Sequence, residues 1–76
     1  MTQIDTLVDA RGHRCPVPTL RLARALERAQ PQTVVRLLAD DPMARIDVPH
    51  YAAERGYEVI DMISEGPTTQ FRVRKS

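Results

Sequence analysis

The stretch Arg11-Gly12-His13-Arg14-Cys15-Pro16-Val17-Pro18 holds the only cysteine of the 76-residue chain and two of its six prolines. The two prolines take the first and third positions of the helix that the following residues predict. Pro is favoured at the first helical position, where its missing N–H would have no intrahelical partner, and it is tolerated throughout the first turn. The stretch therefore predicts a helix N-terminus with Cys15 at the N-cap, reached through a chain turn at Gly12.

The spacing of apolar residues predicts one element on each side of this stretch. Residues 6–9 predict a short strand, and residues 17–29 predict a helix with one apolar face. Pro31 ends the helix because it cannot continue the hydrogen-bond pattern and biases the residue before it away from the α conformation. The predicted apolar face consists of Pro18, Leu22, Ala25, Leu26 and Ala29.

The middle of the chain predicts a central strand and an interrupted second helix. Residues 33–39 begin with β-branched residues and are nearly all apolar, which is typical of a central strand. Asp40-Asp41-Pro42 has the pattern of an N-cap before a first-turn proline, and Asp47-Val48-Pro49 repeats it. We therefore expect a helical turn over residues 43–46, a break, and a helix over residues 48–55.

The C-terminal part predicts a hairpin, with strands over residues 57–63 and 69–74 and a turn over residues 64–68. The element order is then β-α-β-α-β-β, in which a right-handed crossover makes the first two strands parallel. Two helices cover only one face of four strands, so we expect an α+β fold. It is a two-layer α/β sandwich with a four-stranded mixed sheet and two helices on one face. Arg36, Arg72 and Arg74 are expected on the open face.

Length and charge limit the class of function. We expect a single domain over residues 1–76, too small to enclose a deep substrate pocket. A net charge of +1 argues against a main role in coating nucleic acid or an anionic membrane. No apolar run approaches the roughly 20 residues that a membrane span needs, and the N-terminus lacks a signal-peptide pattern.

Cysteine and histidine usage limits the kind of site. One cysteine cannot form an internal disulfide, and one cysteine with two histidines does not supply a structural zinc site. A small domain with a reduced thiol suits the cytoplasm. We expect neither a metal nor a cofactor.

Cys15 is the candidate catalytic residue. A helix N-terminus and the neighbouring Arg14 lower the pKa of a thiol, so that more of it is the nucleophilic thiolate at neutral pH. Pro16 and Pro18 remove two N–H groups that could stabilise an anion, so we expect a modest lowering and a rigidly presented sulfur. The alternative is a buried structural cysteine, because unpaired Cys is among the most often buried residues.

Other residues of the loop are expected to support Cys15. Gly12 permits the turn, and Asp9 is expected to hold the loop by accepting backbone N–H groups. A structural role for Asp9 is favoured because a carboxylate near the sulfur would oppose thiolate formation. His13 is interpreted as a loop residue, and the alternative is a residue that tunes the thiol or moves a proton.

The helix after Cys15 carries a basic row, Arg21, Arg24 and Arg28. This row is either a solvated helix face or a surface that docks an acidic patch of a partner. Val17 and Leu20 lie near the same edge, off the apolar face. Apolar groups beside a reactive thiol suit transient protein docking, although single exposed apolar residues are common.

Residues 7–18, with Ala39-Asp40-Asp41-Pro42 and Asp47-Val48-Pro49, resemble the signature of the TusA/SirA family of small sulfur carriers. The Cys-Pro-x-Pro motif of that family lies at the start of its first helix. The length and element order match as well, so the resemblance covers essentially the whole chain. His13 departs from it, because the family commonly has an apolar residue such as Leu there.

The resemblance implies a mixed sheet whose last strand is antiparallel to the others, and a persulfide carried on Cys15. The sulfur would come from a donor protein, either a cysteine desulfurase or a rhodanese-like protein, and pass to an acceptor relay protein. Acceptor pathways in the family lead to 2-thiouridine in tRNA, to the molybdenum cofactor and to sulfur oxidation. The implied protein is a sulfurtransferase in the carrier sense, monomeric when alone, with no direct nucleic-acid or membrane partner.

Two other functions stay open on the sequence alone. One is a nucleic-acid-binding module that uses the arginines of the open sheet face. The other is a regulatory interaction domain in which the cysteine is incidental. The near-neutral charge and the lack of stacking aromatics at the expected open-face positions argue against nucleic-acid binding.

Overall fold

The computed structural model of the protein describes residues 6–14 and 16–76, so Cys15 and residues 1–5 lie outside the described residues. The predicted order β-α-β-α-β-β and the α+β class are confirmed. The elements are β1 (Thr6–Asp9), α1 (Val17–Arg28), β2 (Val34–Ala39), α2 (Ala44–Arg55), β3 (Glu58–Glu65) and β4 (Thr68–Arg74).

The four strands form one mixed sheet in the order β1-β2-β4-β3. Strand β1 runs parallel to β2, and α1 makes the connection between them. Strand β4 runs antiparallel to both of its neighbours, β2 and β3, as the family resemblance implied. The two central strands, β2 and β4, therefore carry the most deeply buried positions.

Both helices pack on one face of the sheet. The buried side chains of α1 are Pro18, Leu22 and Leu26, which belong to the predicted apolar face. Phe71 of β4 is fully buried beneath the helices. The core consists of Val8, Ala10, Leu22, Leu26, Val35, Leu37, Ala39, Ala44, Val48, Ala52, Phe71 and Val73.

Helix α2 corrects the prediction of a break between a helical turn and a later helix. It runs without interruption over Ala44–Arg55, with Pro49 inside it. The break was predicted because Pro49 has no N–H and therefore removes one backbone hydrogen bond from the helix. Its neighbours outweigh that loss, because Ala44, Val48 and Ala52 follow one another at intervals of one helical turn and are all buried.

The open face of the sheet carries arginines paired with acidic residues. Arg36 and Arg72 are opposite each other on β2 and β4, and Asp61 of β3 is opposite Arg72. The Arg72 guanidinium donates to both carboxylate oxygens of Asp61, and Arg74 pairs with Glu58 at 3.0 Å. The sequence predicted the arginines of this face but not their acidic partners.

A register shift in β3 explains why that pairing was missed. Val59 is opposite Val73 and Asp61 is opposite Arg72, so one extra residue is accommodated between them. The shift places Asp61 on the open face of the sheet. Strict alternation from Val59 would instead place Asp61 on the face that the helices cover. The strand also ends at Glu65, beyond the predicted end at residue 63.

None of the helices formed by the described residues is long and apolar enough to span a membrane.

Candidate functional site

The loop between β1 and α1 is held by backbone hydrogen bonds. The Ala10 N–H donates to the Leu38 carbonyl at 2.8 Å, which continues the pairing of β1 with β2. The His13 N–H donates to the Ala10 carbonyl at 3.2 Å and closes a turn around Gly12. Gly12 has φ +84°, a value that residues with a side chain rarely adopt. The predicted turn at Gly12 is confirmed.

The start of α1 differs by one residue from the prediction. Pro16 occupies the N-cap position and Val17 is the first helical residue, so the expectation that Cys15 is the N-cap is wrong. Pro18 then takes the second helical position and is buried against the core. The Val17 N–H donates to the Arg14 carbonyl at 2.9 Å.

The first turn of α1 offers a limited set of backbone N–H donors. Pro16 and Pro18 have no N–H, and the N–H of Val17 already has the Arg14 carbonyl as its acceptor. Few backbone donors therefore remain in the first turn to stabilise an anion. What the described residues provide instead is restricted backbone freedom at the start of α1, because Pro16 and Pro18 each have a fixed φ.

Asp9 and Arg11 form a charged pair at the end of β1. The Arg11 Nε and Nη2 atoms donate to the two carboxylate oxygens at 2.9 and 2.7 Å, and the Arg11 backbone N–H donates to Oδ1 at 3.1 Å. The side-chain hydrogen bond from Arg11 is the main cause that lowers the pKa of Asp9 to about 2. Asp9 thus holds the first residues of the loop, and its charge is balanced locally.

Asp40 is a site residue that the sequence interpretation missed. Both of its carboxylate oxygens accept the Gly12 N–H, at 3.0 and 3.1 Å. The sequence interpretation explained one of the two aspartates, Asp40 or Asp41, as an N-cap before Pro42. The structure gives the local role to Asp41 alone, which accepts the Met43 N–H at 2.9 Å, and Met43 is the N-cap of α2. The presence of two adjacent acids for one cap was one signal in the sequence, and the resemblance of residues 39–42 to the family signature was another.

An open cleft of about 330 Å³ lies where these two loops meet. Gly12, His13 and Arg14 contribute one side, and the segment after β2 contributes the other. Arg14 and His13 are exposed. The cleft is lined by Gly12, His13, Arg14, Asp40, Asp41 and Pro42.

A second groove, of about 380 Å³, runs along α1 beside β1. It brings together all of the predicted docking residues. Leu20 is 61% exposed and Val17 is 37% exposed, so the groove has an apolar part near the N-terminus of α1. The lining residues are Val8, Val17, Leu20, Arg21, Arg24, Ala25 and Arg28.

The three arginines of this groove are not equivalent. The Arg21 Nη1 atom donates to the Asp9 carbonyl at 2.7 Å, so Arg21 connects α1 to the end of β1. In the part of the chain that the structure describes, Arg24 and Arg28 make no side-chain hydrogen bond or ion pair. Both guanidinium groups are therefore available to an acidic partner.

Residues 6–14 and 16–76 contain no group of three or more His, Asp or Glu side chains that could hold a metal ion.

Comparison with known proteins gives consistent matches over nearly the whole chain. The family model described as "Sulfurtransferase TusA" matches residues 6–75. The "Sulfur carrier protein TusA" of Allochromatium vinosum is 32% identical over 76 residues, which cover 100% of both chains. The protein of the same name from Pseudomonas aeruginosa is 29% identical over 72 residues, covering 95% of this chain and 91% of the relative.

A solved structure has the same fold. The crystal structure of a SirA-like protein from Desulfitobacterium hafniense superimposes with a TM-score of 0.80 and is 25% identical in sequence. The match covers 93% of this chain and 96% of that one.

Proposed function

Because this chain belongs to the TusA family, we propose that it is a sulfur carrier that holds a sulfane sulfur as a persulfide on Cys15. The observation that carries the proposal is the position of the only cysteine in the chain. It immediately precedes the N-cap of α1, inside the region that the family model matches. Residues 1–76 would act as one sulfur-carrier domain that needs no cofactor.

Loading is a thiol exchange in which atoms and electrons balance. The Cys15 thiolate attacks the outer sulfur of a donor persulfide, the new S–S bond forms on Cys15, and the donor leaves as a thiolate. In the discharge step an acceptor thiolate attacks the outer sulfur and Cys15 leaves as a thiolate. Neither step needs an oxidant or a reductant.

Arg14 and the N-terminus of α1 favour the charged forms of this thiol. A cation next in sequence stabilises both the thiolate and the persulfide anion. The scarcity of N–H donors in the first turn makes this activation modest. The proposed activity is therefore that of a sulfurtransferase that carries sulfur between proteins, and its partner proteins supply the other reacting groups.

The groove along α1 is the proposed docking surface for those partners. Val17 and Leu20 supply exposed apolar contact beside the N-terminus of the helix, and Arg24 and Arg28 supply positive charge further along it. A partner with an acidic patch complements this arrangement. Arg21 contributes to the wall of the groove while it stays bound to the Asp9 carbonyl.

The proposed donors are cysteine desulfurases or rhodanese-like proteins, and the proposed acceptor is a relay protein with its own thiol. Thiolation of tRNA, assembly of the molybdenum cofactor and sulfur oxidation are the pathways that such a relay would supply. We place the carrier in the cytoplasm, where a single reduced cysteine persists.

Loading of the purified protein tests this proposal. The protein is incubated with a cysteine desulfurase, cysteine and pyridoxal phosphate, and its intact mass is then measured. We expect a gain of about 32 Da, one sulfur atom, that a reductant removes. Cys15→Ala should show no gain. An unmodified wild-type protein after trials with several donors of both classes would reject the proposal.

A further inference from the structure

We propose that Asp40 is a positioning residue that fixes the loop leading to Cys15 for transfer between proteins, an inference that rests on the proposed function. Its two carboxylate oxygens share the Gly12 N–H at 3.0 and 3.1 Å. Gly12 and Asp40 belong to different loops, 28 positions apart in sequence. Their contact is a side-chain tie between the β1–α1 loop and the segment that follows β2.

Asp40 directly follows β2, a central strand that is paired on both edges. The preceding residue, Ala39, is buried and pairs with Thr69 of the central strand β4. On the other side of β2, the Leu38 carbonyl accepts the Ala10 N–H. Pairing on both edges of β2 holds the backbone of the residue that follows it, so Asp40 can define the position of a neighbouring loop.

The tie is not required to start α2. Asp41 accepts the Met43 N–H at 2.9 Å, and the Ala44 N–H donates to the Asp41 carbonyl at 3.0 Å. Asp40 makes no contribution to that turn, and its carboxylate is directed to Gly12. Its loss should therefore leave the helix start intact and release the β1–α1 loop.

The conformation of Gly12 makes this tie specific for one loop geometry. At φ +84° its N–H is oriented towards Asp40, and a different backbone conformation would turn the donor away. Because Gly12 also lacks a side chain, it has many alternative conformations once the acceptor is removed. Asp40 thus selects one of them.

Positioning matters for a protein donor more than for a small reagent. Attack on a persulfide needs the thiolate in line with the S–S bond while two protein surfaces are docked. A loop that samples several positions meets that geometry less often. A small alkylating reagent approaches from many directions, so its rate reports the ionisation and exposure of the thiol.

The test compares Asp40→Ala with Asp40→Asn, which keeps one acceptor oxygen and loses the charge. Single-turnover transfer from a persulfidated donor protein is measured beside alkylation by iodoacetamide, after thermal unfolding has shown that each variant is folded. Hydrogen exchange of the Gly12 amide reports the tie directly. We expect transfer to Asp40→Ala to be slower by roughly tenfold, with alkylation within about twofold of the wild type. Asp40→Asn should recover most of the rate and the protection of the Gly12 amide.

Each result decides the proposal. Transfer to Asp40→Ala at the wild-type rate would overturn it, and so would equal slowing of both variants, since that would assign the effect to charge. If Asp40→Ala loses transfer and alkylation in parallel, the slowing comes from a change in thiol reactivity, and the positioning role is rejected. If the wild-type protein accepts no sulfur, the proposed function fails and the positioning role fails with it. A wild-type protein that loads beside an unaffected Asp40→Ala rejects the positioning role alone.

Discussion

The guanidinium of Arg11 makes a bidentate contact with the carboxylate of Asp9 at the start of the β1–α1 loop. Its Nε and Nη2 atoms lie 2.9 and 2.7 Å from the two carboxylate oxygens. The same carboxylate also accepts the Arg11 backbone N–H. The pair therefore neutralises a negative charge that would otherwise stand close to the loop of a proposed thiolate nucleophile. It also defines how the chain leaves β1.

Arg11→Ala should raise the pKa of Asp9 from about 2 towards its ordinary value of 3.8, because the side-chain hydrogen bond from Arg11 is the main cause of the shift. Because the pKa of Asp9 is lowered in the native protein, its ionised carboxylate stabilises the native loop at pH values above 3.8. This contribution is lost as the pH falls from 3.8 towards 2. Carboxyl titration by NMR measures both proteins. A wild-type Asp9 that titrates near 3.8 would contradict the contact.

Replacing Arg24 and Arg28 together by Gln should lower the rate of sulfur transfer from an acidic donor by about three- to tenfold. The two charges are exposed to a partner, and rim charges act mainly on the association rate. Stopped-flow or quenched transfer at two salt concentrations measures the effect, which should shrink at high salt.

Arg55→Gln is the matched control for that experiment. It removes an exposed arginine at the end of α2, outside the α1 groove, where its guanidinium lies 5.8 Å from the centre of the Tyr51 ring. Transfer to this variant should match that of the wild type. Equal slowing by the α1 double variant and by Arg55→Gln would show a general charge effect and remove the docking role from Arg24 and Arg28.

The open sheet face should not bind nucleic acid tightly. Arg72 and Arg74 are paired with Asp61 and Glu58, so they have partners within the sheet that a phosphate backbone would have to displace. Fluorescence anisotropy with single-stranded RNA at physiological salt should give no binding tighter than about 10 µM. Tighter binding that is lost in Arg72→Gln/Arg74→Gln would instead support the nucleic-acid function.

Pro49→Ala should stabilise the protein. Alanine restores an N–H at a position inside α2 where Pro49 has none, and the helix continues on both sides of it. We expect a gain of about 1 to 2 kcal/mol in the free energy of unfolding, less than the roughly 3 kcal/mol penalty of Pro in a helix interior, because Pro also restricts the unfolded chain. Pro31→Ala, in a loop, is the control and should not stabilise. Chemical denaturation measures both, and a lower midpoint for Pro49→Ala would contradict the expectation.

The elements of this fold follow from local patterns. The apolar spacing of α1 predicted its buried face, and the run of apolar residues in β2 predicted a central strand, because each depends on neighbours close in sequence. The continuous α2 did not follow. Two proline signals favoured a break, and only the burial of Val48 and Ala52 against the distant core outweighs them.

The contacts that shape the candidate site follow less well from sequence. The Asp40–Gly12 hydrogen bond joins two loops that the parallel pairing of β1 and β2 brings together, so no local rule identifies it. The Asp61–Arg72 pair depends on a one-residue shift in β3 that changes which face Asp61 occupies. Both cases need the register of the sheet, which hydrophobic alternation alone does not supply.

A two-step transfer tests most directly whether Cys15 both accepts sulfur and gives it up. The protein is loaded with isotopically labelled sulfur, separated from its donor, and mixed with an acceptor protein that has a reactive thiol. We predict that the label leaves this protein, as the loss of one labelled sulfur atom, and appears on the acceptor in equal amount. Cys15→Ser should neither load nor transfer. Label that stays on the wild-type protein, or that passes through Cys15→Ser, would contradict the account.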